Sequence, residues 1–178
     1  MAPQSLDRLL HHAESITLVS ASPERVFALI DDHERLASHM SRSSWRMGGG
    51  SMRTILDEHR GQSVGSHIRV SGRVLGLELM LDEVVTAREP PTRKVWETVG
   101  IPKLLVIGPY RMGFELTARG SGSLLRVFID YALPTPLLER LLSRMFSGYY
   151  ALWCTQSMVD DAVRHFASSA KSGAAKVA

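Results

Sequence analysis

Few residues in this chain carry chemistry, and the first is Glu97. It shares strand parity with Val95 and Val99. If those valines face the interior, Glu97 is a buried carboxylate with a raised pKa, as a general acid or base requires. If Lys94, Trp96 and Thr98 face inward instead, Glu97 is a surface residue. The spacing leaves both arrangements open. Tyr131 is the second candidate for acid–base work. A tyrosine with its ordinary pKa of about 10 is a modest acid at neutral pH and serves better as an orienting donor. Buried tyrosine hydroxyls need partners, which a ligand oxygen or an ordered water supplies. Gln156 falls on an apolar helix face, either as a polar contact to a ligand or as a satisfied core amide.

The remaining reactive types form no site. His33 and His39 flank a short helix beside Asp31 and Asp32, but their spacing matches no established ligand pattern. No metal and no cofactor is expected. Cys154 is the one cysteine, so no intrachain disulfide forms. It reads as a small, partly buried helix residue with no activating neighbour. No Ser-His-Asp order, phosphate loop or dinucleotide fingerprint occurs.

Around these residues the sequence sets out alternating elements. Ser15–Ala21 reads as a strand, with Ile16 and Leu18 opposed to Thr17 and Val19. Residues Ser5–His12 have the spacing of a short helical turn. Ser22-Pro23-Glu24 begins a helix with a cap, a proline at the first position and an acid in the first turn. Its apolar face is Val26, Phe27 and Ile30. His33–Met40 reads as a second short helix, followed by a loop ending in Gly48-Gly49-Gly50. From there the period becomes two. Strands are expected at Ser51–Glu58, Ser66–Val74, Leu77–Ala87, Arg93–Val99, Tyr110–Arg119 and Ser123–Leu133. The segment Pro136–Phe166 then recurs at three- and four-residue steps through Tyr149, Trp153, Gln156, Val159, Val163 and Phe166. That is one long amphipathic helix. Ala167–Ala178 is expected to fray.

Successive strands with short turns imply an antiparallel sheet. The expected class is α+β: a curved sheet of about six or seven strands gripping one long C-terminal helix, with two short helices after the first strand. One domain over residues 14–166 is expected, with extensions at 1–13 and 167–178. At 178 residues, 44% hydrophobic and 22% charged, the chain has the composition of a globular protein with a substantial core. The formal charge of +3 is spread over scattered arginines, so no nucleic-acid partner is expected. No apolar run reaches the roughly 20 residues of a membrane span, and the first residues lack the apolar core of a signal peptide. A cytoplasmic location is the default, and the sequence leaves the oligomeric state open.

This order of elements, with the run Ala21-Ser22-Pro23-Glu24-Arg25-Val26-Phe27-Ala28-Leu29-Ile30-Asp31-Asp32, resembles the START-like helix-grip (SRPBCC) superfamily. Gly61, Val64-Gly65-Ser66, Glu83-Val84-Val85, Glu89-Pro90-Pro91 and the Trp153…Met158…Asp161 segment resemble its bacterial polyketide cyclase/dehydrase and lipid-transport branch. The resemblance covers about Glu14 to Phe166. It implies an apolar cavity between sheet and long helix, and it carries no catalytic motif. By alternation the cavity is lined by Leu79, Leu81, Tyr110, Met112, Phe114, Val127, Ile129, Tyr131, Tyr149 and Trp153, with Gln156 as a polar contact. A plain filled core is the alternative. The function implied is carriage or sensing of a small hydrophobic ligand such as a lipid, an isoprenoid or a polyketide-like aromatic. A cyclase or dehydratase without metal and a ligand-free interaction module are the alternatives.

Overall fold

A computed structural model of the chain describes residues 9–33, 51–74, 77–104, 106–134 and 137–174. The elements are β1 (His11–Val19), α1 (Pro23–Ile30), β2 (Ser51–Leu56), β3 (His67–Val74), β4 (Leu77–Glu89), β5 (Arg93–Thr98), β6 (Tyr110–Arg119), β7 (Gly122–Tyr131) and α2 (Leu137–Ala174). The seven strands form one curved antiparallel sheet in the order β1-β7-β6-β5-β4-β3-β2. Only β1 is out of sequence order, because it leaves for α1 and is joined last by β7.

Two expectations shift. His11 and His12 belong to β1, not to a helical turn, and pair with Tyr131 and Asp130 of β7. The long helix continues to Ala174, well past the expected fraying at Ala167. The second short helix lies, after His33, outside the described residues, as do His39 and the Gly48-Gly49-Gly50 loop. In β1 the inward positions are Ser15 and Val19, while Ile16 and Leu18 face out at 52% and 66% exposure.

Helix α2 has 38 residues and a length of about 57 Å at 1.5 Å per residue. Its contacts concentrate on β1 and β7. The face it buries is not the one that residue size suggests. Ser147, Ala151 and Thr155, at four-residue steps, are buried, followed by Val159, Ala162 and Phe166. Small residues let the helix axis approach the sheet, and the Ser15 and Thr155 hydroxyls share a 2.8 Å hydrogen bond across the contact. The larger side chains are displaced to the flanks. Tyr149 is therefore 76% exposed. Gln156 is exposed too and donates to Asp160 at 2.9 Å within the helix.

A buried ion pair ties α1 to the sheet. Asp31 ends the helix and accepts from Lys94 Nζ of β5 at 2.6 Å and from Arg88 of β4 at 2.8 Å. Lys94 also donates to the Asp31 carbonyl. Burial alone would raise the Asp31 pKa, but these two cations outweigh it and hold the carboxyl below its ordinary value. Beside the pair, His33 packs edge-on to Trp96, with ring centroids 5.3 Å apart. Gly61 lies against it with a φ of 72°. A Cβ there would stand 2.7 Å from the His33 ring, so both backbone shape and space call for glycine.

Candidate functional site

The inner face of the sheet divides into two halves. Under α2 the core is closed: Phe114, Leu125, Val127 and Ile129 have at most 2% exposure, and Tyr131 has 3%. Towards β2 the same inward parity runs through Leu56, Val70, Leu79 and Leu81, and these stay half-buried. Leu104, Tyr150, Cys154 and Met158 pack alongside as partly buried groups. Trp153 is half-buried on the flank of α2, its ring tilted against Tyr150 with centroids 6.0 Å apart. An apolar surface that points inward and is only partly covered is where a hydrophobic molecule gains most from leaving water.

Between these halves stands Glu83 of β4. It continues the inward series Leu79, Leu81 and is 6% exposed. The Tyr110 hydroxyl, two strands away on β6, donates to its Oε1 at 2.5 Å. Trp96 of β5 stands between them, and its indole N–H is near enough to favour the ionised carboxyl. Thr98 stands opposite Glu83 in the β4–β5 register, and its hydroxyl accepts from the Tyr110 amide at 3.1 Å, which fixes where β6 begins. Burial pushes the Glu83 pKa up to about 7, against the pull of the Tyr110 and Trp96 donors. Burial, with the Glu83 charge behind it, drives Tyr110 well above its usual value. Across from them on α2, Tyr150 and Cys154 lie side by side and influence each other's protonation. Burial lifts the thiol to about 12, so it is no nucleophile at neutral pH. A carboxyl balanced between its two forms at neutral pH is able to give or take a proton.

Glu97 is not that group. Lys94 and Trp96 are the inward residues of β5, at 0% and 4% exposure, and Glu97 turns to the outer face. There its carboxylate accepts from Thr86 at 3.4 Å. Tyr149 and Gln156 leave the interior for the reason given above. Tyr110, Met112, Phe114, Val127, Ile129 and Tyr131 lie together in the core, and Leu79 and Leu81 lie on its partly covered side. Sequence reasoning missed Glu83, although its parity with Leu79, Leu81 and Val85 was a usable signal. A β-bulge between Val85 and Ala87 breaks that parity further along the strand. His33 is buried against Trp96. Among the described residues no three His, Cys, Asp or Glu side chains come together as a metal site would need.

An antiparallel sheet curved around one long helix, with a polar group on its half-covered inner face, defines a helix-grip protein. The chain belongs to the polyketide cyclase/dehydrase and lipid transport family, whose pattern matches residues 11–158. No curated protein matches the sequence. Among solved structures, the protein TTHA0849 from Thermus thermophilus is similar at a TM-score of 0.63 and 16% identity, over 89% of this chain and 99% of that one. SA2116 from Staphylococcus aureus gives 0.58 at 12% identity, over 90% and 96%. The ginseng major latex-like protein 151 of Panax ginseng gives 0.54 at 12% identity, over 86% and 97%. At these identities the likeness is one of fold.

Proposed function

We propose that this protein binds a small hydrophobic ligand between the inner face of its sheet and its long helix, as a carrier or sensor. Residues 14–166 form the binding unit. The observation that carries the reading is the set of inward apolar side chains left half-covered beside a closed core, from Leu56 and Val70 to Leu79 and Leu81. Family membership supports it, since lipid transport stands in the family's own description. A lipid, an isoprenoid or a polyketide-like aromatic fits such a wall, and a cytoplasmic location agrees with the composition. The scattered basic residues favour no nucleic-acid partner.

The test is titration with the neutral fluorophore N-phenyl-1-naphthylamine. A blue-shifted, saturable increase in emission that apolar competitors reverse is the expected result. No binding, together with salt-sensitive retention on DNA, would overturn the reading.

The Glu83–Tyr110 pair favours a second reading, a metal-free cyclase or dehydratase. A bound ketide would have to place a proton within hydrogen-bond reach of Glu83. Glu83→Gln would then lower turnover by about a hundredfold or more with affinity kept. In the carrier, the parent protein shows no turnover and the variant changes affinity alone.

A further inference from the structure

We propose that Glu83, with Tyr110 beside it and Tyr150 and Cys154 opposite on α2, is a polar subsite that selects uncharged oxygenated ligands over carboxylates. The ligand class is an apolar ketone, phenol or alcohol. The inference rests on the binding function proposed above and specifies the ligand's polar end.

The polar groups on this part of the inner face come from four elements. Glu83 supplies two oxygens from β4, Trp96 a donor from β5, Tyr110 a hydroxyl from β6, and Tyr150 and Cys154 a hydroxyl–thiol pair from α2. The Tyr110 hydroxyl donates to Glu83, and Trp96 stands beside the same carboxyl. That fixes the carboxyl in place while leaving it acceptor capacity. In its protonated form the carboxyl donates to a carbonyl; in its ionised form it accepts from a hydroxyl. Either way a neutral oxygen is served.

An anionic headgroup meets the opposite situation. Two carboxylates in one desolvated site repel, and only a nearby cation relieves them. Among the described residues, the two cations that reach inward here are Lys94 and Arg88, and both are engaged by Asp31. Lys94 also spends a second hydrogen on the Asp31 carbonyl at 3.1 Å. The inner face thus offers an acid where a fatty-acid carrier would need a base.

The experiment is displacement of N-phenyl-1-naphthylamine at pH 8 by two matched pairs: 1-decanol against decanoate, and 2-naphthol against 2-naphthoate. In the parent protein the neutral member of each pair should displace at concentrations at least about tenfold lower. Any apolar cavity disfavours an anion to some degree, so the decisive comparison is the Glu83→Gln variant, with Glu83→Met as a second, apolar replacement. In either folded variant the ratio should narrow at least about fivefold, chiefly through tighter anion binding. An unchanged ratio in both variants, or anion preference in the parent, overturns this proposal and leaves the binding function standing. No fluorophore binding by the parent overturns both.

Discussion

Replacing Glu83 by glutamine should make the protein more stable at pH 8 and leave it almost unchanged at pH 4.5. The parent carboxyl has a pKa pushed from 4.5 up to about 7 by burial. Below 4.5 it is protonated whether the chain is folded or not. Between 4.5 and about 7 the folded protein keeps a proton that the unfolded chain has released. The unfolded state binds fewer protons there, so stability falls as pH rises through that window. Above it the full deficit stands, and the difference between the two values corresponds to about 3 kcal/mol. The substituted amide carries no charge and still accepts the Tyr110 hydrogen bond, so the deficit disappears. His33 works in the opposite direction. Burial, aided by the Lys94 charge, pushes its pKa from 6.5 down to about 3, so the unfolded chain takes up a proton first and stability falls as pH drops below 6.5. The two trends oppose each other between 4.5 and 6.5, which flattens the parent's own profile. The informative quantity is the difference between variant and parent. Urea denaturation at pH 4.5, 6, 7 and 8 measures it. With a slope of about 2 kcal/mol per molar, the midpoints should separate by about 1.5 M at pH 8 and converge at pH 4.5. Parallel profiles would refute the assignment of Glu83 as the buried, proton-holding carboxyl.

Three further outcomes follow from the packing. Lys94→Ala should destabilise by about 3–5 kcal/mol in chemical denaturation, because it leaves Asp31 buried with only Arg88 as counter-ion. Gly61→Ala should lower the melting temperature through a loss of about 1–3 kcal/mol, since the backbone is left-handed there and the His33 ring blocks the new methyl. Ala151→Leu should cost about 1–3 kcal/mol by forcing α2 away from the sheet, while Tyr149→Ser, at an exposed position, should shift the melting point very little.

Much of this architecture is legible in the chain itself. Period-two alternation from Ser51 to Leu133 and the Ser22-Pro23-Glu24 start are local signals, and local signals place strands and helix ends. What alternation lacks is an absolute inside. In β5 both parities contain apolar residues, and only the packing of Trp96 over His33 and the pull of Asp31 on Lys94 turn Glu97 outward. The α2 face was obscured for a related reason. Hydrophobic periodicity weights large side chains, whereas a close helix–sheet contact selects small ones such as Ser147, Ala151 and Thr155. The site itself depends on β4, β5 and β6 lying side by side, so Glu83 and Tyr110, 27 positions apart, meet only once the sheet is assembled.

The pairing of β1 with β7 also governs how this chain is made. Ser15 and Thr155, joined by one hydrogen bond, are 140 positions apart. Synthesis runs at about 5–20 residues per second, so β1 waits on the order of ten seconds before its partners leave the ribosome. During that time a nine-residue strand with Ile16 and Leu18 on one face and Val19 on the other has no native neighbour to pair with. Contacts of such long sequence separation belong to the slow end of the folding spectrum. Among the described strands β1 is thus made first and paired last, and a chaperone that shields it in the interval has most to offer.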